Sequence, residues 1–132
     1  MMEIRSQEIN LECEINGIDK GSLKNLLVVK LVCKDFNINF DILESINIFK
    51  EKEKVKVFIS NTRPPYTKDD FCAHGYVVTE LKEGSSEQQK FSAIISLFGL
   101  LVKIMGKESF LKTYGLNVMD HIYFCVRKAN IS

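Results

Sequence analysis

No apolar run in this sequence reaches the roughly 18 residues that a bilayer-spanning helix needs. The opening stretch, MMEIRSQEIN, lacks the apolar segment of a signal peptide. These absences predict a soluble chain that stays in the cytoplasm. An excess of basic charge is missing too: 18 Lys and Arg stand against 17 Asp and Glu, a net charge of +1. Proteins that live on nucleic acid by neutralising phosphates normally carry a clear basic surplus, so nothing here demands a polyanion. Cys13, Cys33, Cys72 and Cys125 stand singly, with no CxxC pair, which excludes a zinc ribbon or a dithiol redox motif. They read as buried thiols in strands; cysteines paired inside a hyperthermophile's cell are the alternative.

Catalytic constellations are equally scarce. The chain has only His74 and His121, with no GxSxG elbow, no Gly-rich phosphate loop and no HExxH. This excludes the familiar hydrolases and nucleotide-binding enzymes, and no catalytic, cofactor-binding or metal-binding residue is assigned. Asp69 and Asp70 are adjacent but lack a partner motif, and read as solvated. One metal set is conceivable. Cys72 and His74 share a strand face, as do His121 and Cys125, so four soft ligands would converge if their strands were neighbours. The spacing matches no zinc pattern, and buried thiols with hydrogen-bonded or exposed histidines are the plainer reading.

What the chain does contain is alternation. With 45% hydrophobic and 27% charged residues it is globular rather than disordered, and its 132 residues fit one domain. From Gln7 to Asn16, Ile9, Leu11, Cys13 and Ile15 face one way and Glu8, Asn10, Glu12 and Glu14 the other, the mark of a half-buried strand. The turn NGIDKGS follows, then a strand from Leu23 to Cys33. Phe36, Ile38, Phe40 and Ile42 alternate with Asn37, Asn39 and Asp41 in a third strand. ESINIFKEKEK is read as a short helical turn or loop, and Val55 to Ser60 as strand four. Both prolines, Pro64 and Pro65, fall in NTRPPYTKDD, where regular structure must stop. CAHGYVVTELK, KFSAIISLF, GLLVKIM and HIYFCVRK make strands five to eight, with a polar loop EGSSEQQ between the first two and one short helix before the last.

Short strands at this density predict an all-β protein: an eight-stranded antiparallel barrel, closed to remove its edges. INIFKEKEKVKVFIS, from Ile46, echoes LNVMDHIYFCVRK, from Leu116. Each would close one half, roughly 1–62 and 70–130, joined by the loop 61–70 within a single domain, 1–132.

The run KEKEKVK, Lys50 to Lys56, alternates lysine with glutamate and reads as a solvated turn. Phe36, Phe40, Phe58, Phe91, Tyr123 and Phe124 lie in alternating strands and read as core. Direct contact with nucleic acid is therefore not expected. ISLFGLLVKIMG, by contrast, is apolar nearly all round and is interrupted by Gly99, which marks a bulge, a corner or a close backbone approach. In a barrel wall only one face is core, so the other must be covered by the loop around Phe110 or by a partner.

RPPYTKDDFCAHGYVVTELKE, SLFGLLVKIMG and LNVMDHIYFCVRK resemble three segments of one family: subunit 8 of archaeal and eukaryotic DNA-directed RNA polymerases. FDILESINIFKEKEKVKVFIS resembles an earlier one, so the likeness runs from about Phe36 to Lys128. Where eukaryotic members carry a second glycine this chain has Phe98, which lowers local backbone freedom, and its loop from Asn61 to Asp70 has the shorter archaeal form. The resemblance implies two halves similar to the oligonucleotide-binding fold. It also implies a non-catalytic subunit docked on the largest polymerase subunit, with no cofactor, no small-molecule substrate and no membrane. Arg63, Pro64, Pro65, Gly99, Leu100, Leu101 and Lys103 become the candidate partner contacts. The rival is a free-standing barrel of the same fold that binds single-stranded nucleic acid.

Overall fold

The alternating segments form eight antiparallel strands: β1 (Glu8–Lys20), β2 (Leu26–Cys33), β3 (Asn37–Leu43), β4 (Lys54–Ser60), β5 (Phe71–Glu83), β6 (Lys90–Leu97), β7 (Leu100–Gly106) and β8 (His121–Lys128). A 3-10 turn at Glu44–Ile46 and a helix α1 at Phe110–Tyr114 are the only helical pieces among the described residues. This computed structural model describes residues 8–85 and 87–129. Gln7 and Ser86, expected in the first strand and in the polar loop, lie outside them.

The strands close into a barrel in the order β1-β2-β3-β7-β6-β5-β8-β4, with β4 returning to pair with β1. Read in two sets, the order is 4-1-2-3 and 8-5-6-7, each with its last strand beside its first. The sets meet at two seams, β3 with β7 and β4 with β8. The echoing segments thus end in β4 and β8, which sit in corresponding places.

Inward residues fill the barrel. Phe40 stacks on Phe71 at 5.3 Å and meets Phe124 at 5.5 Å, with Val29, Ile38, Ile42, Val57, Val102 and Ile122 buried around them. Each side chain of this kind contributes about 1.5–3 kcal/mol on leaving water. Helix α1 packs on β6 and β7 and buries Phe110 edge-on against Phe36 at 5.1 Å. Its start is fixed from a distance. The Ser109 hydroxyl accepts the Lys112 N–H, and the Glu80 carboxylate accepts from the Ser109 hydroxyl and from the Phe110 N–H at 2.9 Å. A carboxylate there satisfies the unpaired first-turn donors. So the loop around Phe110 turns inward and covers a barrel end.

Three expectations change. NGIDKGS is not a turn throughout: β1 runs on to Lys20, because an irregularity between Ile15 and Gly17 resets its pairing with β2. β5 carries a similar irregularity between Val77 and Thr79. The cysteines are not free thiols. Cys13 opposes Cys33 across β1 and β2, Cys72 opposes Cys125 across β5 and β8, and both pairs are disulfides. Register places partners 20 and 53 residues apart face to face, which no local pattern reveals. Finally, Gly99 lies not within a strand but in the two-residue turn joining β6 to β7. Phe98 (φ +54) and Gly99 (φ +100) both take the left-handed region there, as tight hairpins require. Phe98 therefore adopts the conformation that a glycine would take more cheaply.

Candidate interaction surface

The outward face of β5 and β8 is one ladder with two unlike ends. On β5 the outward residues are Cys72, His74 and Tyr76; opposite them on β8 stand Cys125, Tyr123 and His121. Beyond β8, β4 sets Phe58 beside Cys125.

At the Cys72 end the chain covers its own wall. Phe58 and Cys125 are buried although neither belongs to the barrel core, and the segment from Asn61 to Asp70 is fastened beside them. The Arg127 guanidinium sits 5.0 Å from the Phe58 ring centre. It donates to both Asp70 oxygens, at 3.0 and 2.8 Å, and to the Pro65 carbonyl at 3.4 Å. The Asp70 side chain is only 4% exposed, so Asp70, unlike exposed Asp69, is not the solvated carboxylate expected. The Arg127 hydrogen bonds hold its carboxyl below its ordinary value of 3.8 against the opposing effect of burial, and the Thr67 N–H helps. Asp70 raises Arg127 in return. Arg127 is half open to water, which screens the pair to about 1 kcal/mol.

The other end stays open, although the segment before β8 runs beside β5, with Val77 hydrogen-bonded to Met119 and Asp120. Phe98 is 73% exposed and meets His74 edge-on at 4.9 Å. Tyr123 lies 5.4 Å from both histidines, and Tyr76 lies 5.2 Å from His121. The pairings continue sideways: His121 with Tyr76, Tyr76 with Ser96, Ser96 with Leu101, a row across four strands. Leu101 is 47% exposed, and Met119, 70% exposed, follows just before β8. The backbone beneath is tight. A Cβ on Gly75 would fall 1.7 Å from the Ser96 carbonyl oxygen, so β5 and β6 approach as closely as they do only because residue 75 has none.

The expected contact residues divide between these ends. Leu101 and Lys103 are exposed on the outer face of β7, while Leu100 is half-buried. The Leu101 N–H, beyond the reach of β3, donates to the Asp41 carboxylate at 3.0 Å. Gly99 has no other atom within 4 Å of where its Cβ would be. Arg63 is exposed and lies over the Tyr66 ring at 5.2 Å, donating to its hydroxyl at 2.8 Å. Pro64 is buried and Pro65 exposed, so the prolines belong to the fastened loop. His74, Tyr76, Phe98, His121 and Tyr123 were not singled out as contacts. One signal was available: AHGYVV and HIYFCV are aromatic or apolar at outward positions, where a solvated strand would be polar.

The four-ligand set does not converge. β5 and β8 are neighbours, but His121 and Cys125 lie four residues apart along one strand, about 13 Å, with Tyr123 between them. Both cysteines are also consumed in their disulfide. Among the described residues no group of three or more His, Cys, Asp or Glu could hold an ion, and no helix is long and apolar enough to cross a membrane.

Architecture and surface together define a closed antiparallel barrel that clothes one end of its outer wall and leaves the other bare. A family model for the RpbG subunit of DNA-directed RNA polymerase matches residues 8–129. Relatives named DNA-directed RNA polymerase subunit Rpo8 agree along almost their whole length. The chain is 65% identical to that of Saccharolobus shibatae over 129 residues, covering 96% of this chain and 98% of the relative. For Saccharolobus solfataricus the identity is 62%, covering 98% and 100%, and for Sulfolobus acidocaldarius 44%, covering 88% and 94%. The chain belongs to this RpbG family of DNA-directed RNA polymerase subunits, in its archaeal Rpo8 form.

Proposed function

We propose that the chain is a non-catalytic structural and assembly subunit, working in the cytoplasm, that docks on the largest polymerase subunit through the bare end of its wall. The observation that carries this reading is Phe98: a large apolar side chain, 73% exposed, held in a left-handed conformation that costs about 1–3 kcal/mol outside glycine. Strain kept at an exposed aromatic is accounted for if a partner buries that ring. Gly99 beside it leaves room for a foreign backbone, and Leu100, Leu101 and Lys103 flank the turn. Arg63 belongs to the rim, while Pro64 and Pro65 act by fixing the loop that bounds the face. Segments 1–62 and 70–130 serve as the two halves of this one docking domain. A platform for single-stranded nucleic acid would thread basic residues between its aromatics; the row His121, Tyr76, Ser96, Leu101 has no Lys or Arg.

The test is surface plasmon resonance of the full chain against the purified largest subunit. Phe98→Ala with Leu101→Asp should weaken association at least about tenfold while the free chain's melting temperature holds. Unchanged association by that double variant would overturn the docking face. Failure of the wild-type chain to bind the largest subunit while it binds other polymerase subunits would overturn the partner.

A further inference from the structure

The bare end also brings together two histidines that lie 47 residues apart in sequence. His74 Nδ1 and His121 Nε2 stand 3.0 Å from each other, diagonally across β5 and β8, with His74 exposed and His121 half-buried. The geometry points to a surface site for a borderline divalent transition-metal ion such as Zn2+, chelated by these two imidazoles. Two nitrogens about 2.0–2.1 Å from one ion are roughly 2.9 Å apart at a right angle and 3.3 Å apart at the tetrahedral angle, so the observed separation already falls between them. Imidazole is a ligand such ions prefer, whereas a hard cation prefers oxygen.

The pair is held ready. Phe98 meets the His74 ring edge-on, Tyr76 meets the His121 ring, and Tyr123 touches both, which restrains the ring rotations that would otherwise cost chain entropy on binding. Two residues along the ladder from His74, the Cys72–Cys125 disulfide ties the strands. No third His, Cys, Asp or Glu joins the pair among the described residues, so solvent completes the coordination and the open positions face outward. In the present hydrogen bond one ring donates its proton to the other's lone pair. Coordination requires that proton to leave the shared line, so the donor ring shifts to its other tautomer. His74 then carries its proton on Nε2 and His121 on Nδ1, with no net proton released from a neutral pair.

Isothermal titration of the full chain with ZnCl2, and separately with MgCl2, tests this. One equivalent of Zn2+ should bind saturably and Mg2+ should not. His74→Gln and His121→Gln should each weaken binding at least about tenfold, and the double variant should be no worse than the weaker single, because a chelate is lost whole. Circular dichroism controls for folding of these surface variants. Ring nitrogen NMR gives an independent reading: His74 Nδ1 and His121 Nε2 should shift together on Zn2+ addition. Equal Zn2+ uptake by the double variant, or unmoved ring nitrogens, would mean an adventitious ion only. Loss in one single variant alone would mean an ordinary surface histidine, and an absence of saturable uptake below about 1 mM would end the proposal.

Discussion

The same pair of strands presents a sealed surface at one end and an open one at the other. At the sealed end Phe58 and Cys125 are buried, with Arg127 over the Phe58 ring and latching the adjoining loop through Asp70. At the open end the rings of Phe98, His74, Tyr76, His121 and Tyr123 meet one another. Both ends rest on the same sheet, so the difference lies in the connections: ten residues fold back at 61–70, and two turn tightly at 98–99. A short hairpin leaves no chain to cover its neighbours. Apolar residues kept there are unlike the single exposed leucines that any surface carries.

If the open end is a rigid platform, its backbone should be the least forgiving place in the molecule. Gly75→Ala forces a Cβ onto the Ser96 carbonyl and should cost about 4 kcal/mol or more, read as a drop in the urea midpoint; a loss under 1 kcal/mol would show the strands can part. The sealed end should come next. Replacing Cys72 and Cys125 together by alanine opens a loop of 53 residues and should cost about 3–4 kcal/mol by the same measurement. Phe58→Ala beneath the latch should cost about 3 kcal/mol without altering association with the polymerase.

The latch itself is worth less. Asp70→Asn should cost about 1 kcal/mol. Because the folded carboxyl sits below its ordinary value, this stabilisation is complete above about pH 4 and disappears as pH falls through the lowered value. Wild type and Asp70→Asn should therefore converge in acid, and a gap that persists there would assign the effect to packing. Smallest of all, Phe98→Gly should leave stability within about 0.5 kcal/mol, since relief at φ +54 offsets the lost ring contact, yet it should impair docking. That contrast with Phe58→Ala is the sharpest available, since it separates an aromatic needed for stability from one needed only for docking.

Local pattern made most of the barrel legible. Alternation between Phe36 and Ile42 gave β3, and HIYFCVRK is β8 residue for residue. What escaped was non-local. The irregularities at residues 15–17 and 77–79 break the two-residue period, so β1 runs past its expected end. Asp70 looked solvated because Arg127 is 57 residues away, and the cysteines looked free because their partners come from register alone. Among the contact candidates, the outward placement of Leu101 and Lys103 follows from face alternation, whereas the aromatic and histidine cluster needed the knowledge that β5 adjoins β8. Phe98 taught the opposite lesson to the one expected: a residue read as lowering local backbone freedom takes the left-handed conformation that favours glycine.

The position of β8 carries a consequence for how this protein is made. It is the last of the eight described strands, yet it is wedged between β4 and β5 and supplies His121 and Tyr123, two of the five residues of the exposed cluster. During synthesis the earlier strands must wait, with a gap in the wall, until residues 121–128 clear the ribosome. A product truncated before β8 would present neither a sealed cylinder nor the His121 and Tyr123 side chains of the exposed cluster.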